Sequence, residues 1–193
     1  FFLFASIVGI FLMSILLMVQ LNSFYQVFII VSAVILSTAG VQLGLLVTQQ
    51  ISSALFTSLG VIALAGIVVN NNIVLVDTYN VISKENPNLS RDQIVVRTAA
   101  QRLRPIILTT ATTVIGLLPL ASGIGVDFYQ RNIEIGGRVS EWWQPMSFAV
   151  VWGLTFASGL TLFLTPCWLM LPEAIRKTLR NIKNTFLKTA SER

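Results

Sequence analysis

Apolar residues fill the first part of the chain almost without interruption. Residues 1–76 contain no Asp, Glu, Lys or Arg. Polar residues enter there mainly as short breaks: Gln20-Leu21-Asn22-Ser23 divides a run over 2–19 from one over 25–46, and Thr48 to Ser53 divides that from a third over 55–78. Two further apolar runs, 105–121 and 146–171, follow the polar stretches 79–104 and 122–146. Runs of about 20 apolar residues are long enough to cross the hydrocarbon core of a bilayer as helices. The pattern predicts an all-α fold: a polytopic helical membrane protein with five transmembrane helices over 1–171, an amphipathic cytoplasmic helix within a basic loop over 79–104, and a basic cytoplasmic tail over 172–193.

The third run carries the most informative polar groups, and the chain is expected to be organised around it. Gly60 to Asn80 reads GVIALAGIVVNNNIVLVDTYN. Asn70, Asn71 and Asn72 lie near its middle, and Asp77 is the first charged side chain in the protein. At about 100° per residue, Asn70 and Asp77 fall within roughly 20° of each other, with Gly66 on the same stripe. Asn70 lies about 10 Å deeper than Asp77 by helical rise. Polar groups at such depth must face protein or water, because each unsatisfied group in lipid costs several kcal/mol. Two readings of the amides stand side by side: polar packing between helices, or a proton pathway in which amides orient a carboxylate or a water chain. Asp77 is either an interfacial residue near the head groups or a member of that pathway. In the second run, Gly40 and Gly44 have the spacing that permits close helix approach.

The polar stretches carry a topology. Lys84, Arg91, Arg97, Arg102 and Arg104 lie within 79–104; Arg131 and Arg138 within 122–146; Arg176, Lys177, Arg180, Lys183, Lys188 and Arg193 in the tail. The excess of cations predicts that the first and last of these segments are cytoplasmic and the middle one external, with the N-terminal end on the periplasmic side. Ser90-Arg91-Asp92-Gln93 fits a capping box opening a basic amphipathic helix along the membrane surface. Pro105 is expected in the first turn of the fourth span. Thr109, Thr110, Thr112 and Thr113 in that span can bond back to their own helix or across to a neighbour. Gly123-Ile124-Gly125-Val126-Asp127 reads as a turn, and Trp142-Trp143 before Pro145 marks re-entry at an interface.

Composition excludes most chemistry. Charged residues make up 11% of the 193, and mean hydropathy is +0.78. The net charge of +5 sits beside apolar spans, so it signals orientation and not nucleic acid. No His is present, which removes His-based triads and imidazole metal sites. Cys167, the single cysteine, is expected to be a small core residue. There is no phosphate-binding G-x-x-x-x-G-K-[ST] sequence. The chain is expected to be no enzyme and to need no cofactor or metal. The first apolar run has no basic flank or cleavage site, so it is not read as a signal peptide, and a longer polypeptide is expected.

Three segments together resemble a known family: GVIALAGIVVNNNIVLVD, the run RLRPIILTTATTVIGLLPL (Arg102 to Leu120), and SEWWQPMSFAVVWGLTFASGLTLFLTPCWLML (Ser140 to Leu171). In this order they look like the closing spans, eighth to twelfth, of resistance–nodulation–division (RND) efflux pumps of the acriflavine-resistance type. The resemblance implies the C-terminal half of a transmembrane domain in a multi-pass protein of the bacterial inner membrane. It also implies proton antiport driving export of drugs or other toxic compounds. The implied partners are the lipid bilayer, the remaining half of the pump, two further copies in a homotrimer, a periplasmic adaptor and an outer-membrane channel. In such pumps the fourth helix of the first half carries proton-binding aspartates, the tenth commonly offers a Lys, and the eleventh an Arg and a Thr. The Lys position falls on Asn70, a departure that leaves a hydrogen bond where the family has an ion pair; the Arg position falls on Arg102 and the Thr position on Thr109. The proton-relay candidates are therefore Asn70, Asn71, Asp77, Arg102 and Thr109. Two alternatives stand beside this one: a truncated or split module with a structural, partner-dependent role, and a lipid- or protein-export relative on the same fold.

Overall fold

In the computed structural model, described over residues 2–49, 53–127 and 132–191, five helices follow one another: α1 (Phe2–Leu21), α2 (Phe24–Thr48), α3 (Ala54–Glu85), α4 (Arg91–Ala121) and α5 (Arg138–Ser191). Each contains a stretch long and apolar enough to cross a membrane; in α5 it covers Ser140–Pro172. Between α4 and α5 lies a small antiparallel hairpin of β1 (Ile124–Asp127) and β2 (Asn132–Ile135), with Ile124 opposite Ile135 and Asp127 opposite Asn132. The stretch expected as a turn after Gly123 is thus strand, and the turn is made by Ser122 and Gly123 at φ +76°. The positive φ suits Gly, which has no Cβ to clash there.

The polar stretch 79–104 is mostly helical, not loop. α3 continues to Glu85, and after Asn86 to Ser90 the chain re-enters α4 directly. The capping box is present: Ser90 Oγ accepts from the Gln93 amide, and Gln93 Oε1 accepts from the Ser90 amide. The amphipathic segment and the fourth span form one helix, with Ile94, Val95 and Thr98 buried. Pro105 therefore lies inside α4 instead of opening it. Its missing N–H frees the carbonyl of Gln101, an exposed residue at the charged end, where that loss is least costly.

The packing centre is α5, not α3. Glycines set its approach to two neighbours. A Cβ on Gly40 would stand 2.5 Å from the Cβ of Phe156, and one on Gly44 2.5 Å from that of Trp152, so α2 crosses α5 along this small-residue stripe. A Cβ on Gly60 would stand 2.8 Å from the Met146 carbonyl oxygen, and Gly153 leaves room for Leu64 and Val41. These pairings run α3 parallel to α5 and α2 antiparallel to it. The main core, including Val34, Val41, Leu64, Val68, Ala149, Leu154 and Ala157, fills the three-helix seam. A second cluster of Ile29, Leu75, Ile82, Ile94, Val95, Ile106 and Leu169 brings in α4. α1 is peripheral, burying little beyond Leu17.

Aromatic groups mark both ends. Phe56 packs against Trp142 and Trp143, with centroids 6.4 and 5.9 Å apart, at the end that holds the hairpin. At the other end Phe28 lies 5.3 Å from Trp168, and the Tyr25 hydroxyl donates to the Trp168 carbonyl. Cys167 is exposed, contrary to its expected place in the core. It lines a shallow apolar groove along α5 with Phe163 and Leu164.

Candidate functional site

The three consecutive amides of α3 point to three different environments, because successive side chains are turned by about 100°. Asn72 has no exposed surface and faces α5. Its Nδ2 donates to the Val68 carbonyl at 2.9 Å and to Thr161 Oγ1 at 3.2 Å, while its Oδ1 accepts from Thr165 Oγ1 at 2.8 Å. Thr161 and Thr165, one turn apart on α5, are each 1% exposed and clasp the amide from two levels. Asn71 is half-buried at the edge of this seam.

Asn70 is exposed and faces away from α5. Gly66, Val74, Asp77 and Val81 are exposed along the same stripe, and a Cβ on Gly66 would meet nothing within 4 Å. α3 thus has one face sealed against α2 and α5, and an opposite face that is exposed at Gly66, Asn70 and Val74 and runs at Asp77 into a cleft beside the α1–α2 connection. Asp77 lies toward the charged end, in a polar cleft with Gln20, Ser23, Gln26, Asn80 and Lys84. There the side-chain amides of Gln26 and Asn80 bond reciprocally at 2.7 and 3.2 Å, tying α2 to α3.

Arg102 reaches α3 from α4: its Nε donates to Thr78 Oγ1 at 2.5 Å, and the same hydroxyl donates to the Val74 carbonyl at 2.7 Å. The guanidinium is held one residue beyond Asp77, roughly 12 Å along α3 from Asn70. Thr109 lies seven residues after Arg102, on nearly the same stripe of α4. It is exposed, and its hydroxyl bonds back to the Ile106 carbonyl at 3.0 Å. Thr112 and Thr113 likewise bond to their own helix. Thr110 instead crosses to α5, its hydroxyl 2.6 Å from that of Ser158.

The structure therefore brings Arg102 against α3, puts Asn70 and Asp77 on one open stripe, and does not join Thr109 to any of them. The polar pair on α5, Thr161 and Thr165, is not among the candidates that the sequence motifs identify. Their signal is two hydroxyls four residues apart, on one face of a span that also carries Ser147, Thr155 and Ser158. Among the described residues no three His, Cys, Asp or Glu gather as metal ligands. What the arrangement offers chemically is hydrogen bonding by amides and hydroxyls, one carboxylate and one guanidinium.

Residues 1–172 match the AcrB/AcrD/AcrF family. The chain belongs to that family. It is a family of RND transporters and not of enzymes, in line with the expectation from the motifs. Among curated relatives, the multidrug resistance protein MdtC of Citrobacter koseri is 34% identical over 134 residues, covering 68% of this chain and 12% of that protein. MdtC of Erwinia tasmaniensis is 30% identical over 148 residues, covering 75% and 13%. A crystal structure of a heavy metal efflux pump superposes with a TM-score of 0.67 at 30% identity, over 86% of this chain and 15% of that one. The chain thus spans 12–15% of the length of these relatives.

Proposed function

We propose that this chain is the second half of the membrane domain of a proton-driven RND exporter, and that α3 and α4 present the second-half side of its proton relay. The observation that carries this reading is the split character of α3. Asn72 is fully buried and satisfied within the bundle, whereas Gly66 and Asn70 are exposed on the opposite face, which continues to Asp77 in its open polar cleft. An amide and a carboxylate on the open face of a membrane-spanning helix call for a polar partner. Carboxylates on the remaining half of the pump are such a partner. Asn70 hydrogen-bonds them, Asn71 stands beside it, and Asp77 opens toward the charged end. Arg102 supplies the nearby positive charge, and Thr109 lines the same path deeper on α4. The charged end is cytoplasmic and the hairpin end periplasmic, by the distribution of Lys and Arg. Assembly as an inner-membrane homotrimer with an adaptor and an outer-membrane channel follows from the family, as does export of drugs or other toxic compounds.

A structural, partner-dependent role without transport is favoured by one feature, the amide at position 70: it cannot carry a proton or close an ion pair. Efflux by the full-length pump decides between the two. Asn70→Leu and Arg102→Ala, each expressed and assembled as wild type, are expected to abolish proton-dependent efflux; unchanged efflux in both would remove the relay assignment.

A further inference from the structure

Asn72 sits between two of the relay candidates' positions in sequence yet turns its side chain the opposite way. Two residues of helix rotate a side chain by about 200°. Whatever fixes the direction of Asn72 therefore fixes the direction of Asn70. Three hydrogen bonds do so: the bond to Val68 sets the amide on its own helix, and the bonds to Thr161 and from Thr165 set it against α5. Both faces of the amide are engaged, so a turn of α3 about its axis breaks at least one bond in a site with no water access.

The same two helices are keyed together elsewhere along their length. Gly60 meets Met146 and Ala149, and Gly153 meets Leu64. These apolar contacts set the spacing between α3 and α5. They are less sensitive to rotation than a directional amide, because dispersion contacts are many and weak, whereas hydrogen bonds weaken steeply off axis.

We infer that Asn72, clasped by Thr161 and Thr165, is a positioning residue that locks α3 to α5 as one body and holds Asn70 and Asp77 toward the open face. The inference rests on the relay reading of that face. It has a mechanical consequence: protonation on the facing half is answered by movement of the α3–α5 pair together, not by rotation of α3 alone. Neither threonine nor Asn72 touches the proton path.

The test uses the full-length pump in proteoliposomes, with export followed against external pH. Asn72→Ala and the double variant Thr161→Val/Thr165→Val are each expected to lower maximal turnover about 10-fold, well inside the 10²-fold that a 1 Å misplacement can cost. They are also expected to shift the pH of half-maximal turnover while leaving the KM for the exported compound unchanged. Combining all three changes should add nothing further, since they cut the same clasp. Asn72→Ser, which keeps a hydroxyl for one threonine, should recover part of the turnover. If Asn72→Ala and the threonine pair keep the wild-type pH profile while Asn70→Leu loses transport, the positioning role is overturned and the relay stands. If Asn70→Leu also transports normally, the relay reading fails and takes this inference with it. If the assembled amount falls but the pH profile of the remaining pump is wild type, the clasp is structural only and the inference is overturned.

Discussion

Asn70 and Asn72 are the same side chain two residues apart on one helix, and they have opposite surroundings. Asn72 is enclosed, with both ends of its amide bonded to α5 threonines and to its own helix. Asn70 stands exposed on a stripe with Gly66 and Asp77, facing away from α5. The difference shows that residue type does not assign role within a membrane helix. What separates them is angle: the inward position is filled by partners within this bundle, and the outward one is left for partners outside it. A polar residue that is satisfied inside its own bundle acts on packing and orientation. One left open at similar depth is where interaction with another part of a pump is expected.

The sharpest way to break the inward side of this comparison is to overfill it. Gly153→Leu would drive a branched side chain into Leu64 and Val41, which already crowd that position. A cost of about 3 kcal/mol is expected, read as loss of assembled full-length protein and a lowered thermal midpoint; normal yield and midpoint would deny the close seam between α3 and α5. On the outward side, Asn70→Leu is expected to change stability by no more than about 0.5 kcal/mol while abolishing proton-dependent efflux. Stability and transport measured on the same preparation would separate the two faces. Asn72→Ala is expected to destabilise by about 1–2 kcal/mol, the upper range for interhelical hydrogen bonds in membranes. Thermal unfolding in detergent checks it, and a change near zero would mean that the clasp contributes nothing. The smallest effect is expected for the tie between α4 and α3. In a double-mutant cycle of Thr78→Val with Arg102→Gln, a coupling of about 0.6 kcal/mol is expected, the average for such bonds. An absent coupling would free Arg102 from α3.

The five spans were legible because burial in lipid demands long apolar runs, and these stand out from their polar breaks in any reading of the sequence. The close crossing at Gly40 and Gly44 was legible for the same reason: four-residue spacing of small residues serves one main purpose in such helices. The hub was not. α5 has no run of amides to draw attention, and its central place comes from Gly153 and from the room that Gly40, Gly44 and Gly60 leave for its side chains and backbone. The merger of the basic amphipathic segment with the fourth span was also hidden. Pro105 reads locally as a helix start, yet the helix crosses it at a point where the freed carbonyl belongs to an exposed residue. Thiols are commonly buried, which points Cys167 inward, but in a membrane protein an apolar residue is as well placed against lipid as in the core. The candidate site was half legible. Periodicity put Asn70, Asp77 and Gly66 on one stripe, and that stripe exists. Which of its neighbours faced inward could not be read without α5, because the partners of Asn72 lie some ninety residues away in sequence.

Coverage of the Asn70 stripe of α3 by another part of the pump is what the proton-relay reading requires. It is tested most directly by labelling single cysteines in the full-length protein, with Cys167→Ser as background. A nitroxide spin label is attached in detergent to Asn70→Cys and, as a lipid-facing reference, to Phe163→Cys, whose parent residue is 77% exposed on α5, and after reconstitution its collision rate with oxygen, which concentrates in lipid, is read. Position 163 is expected to show high oxygen accessibility and position 70 low accessibility, with that shielding lost when the remaining half of the pump is absent. Equally high accessibility at both positions in the full-length pump would mean that the stripe faces lipid and that no part of the pump covers it.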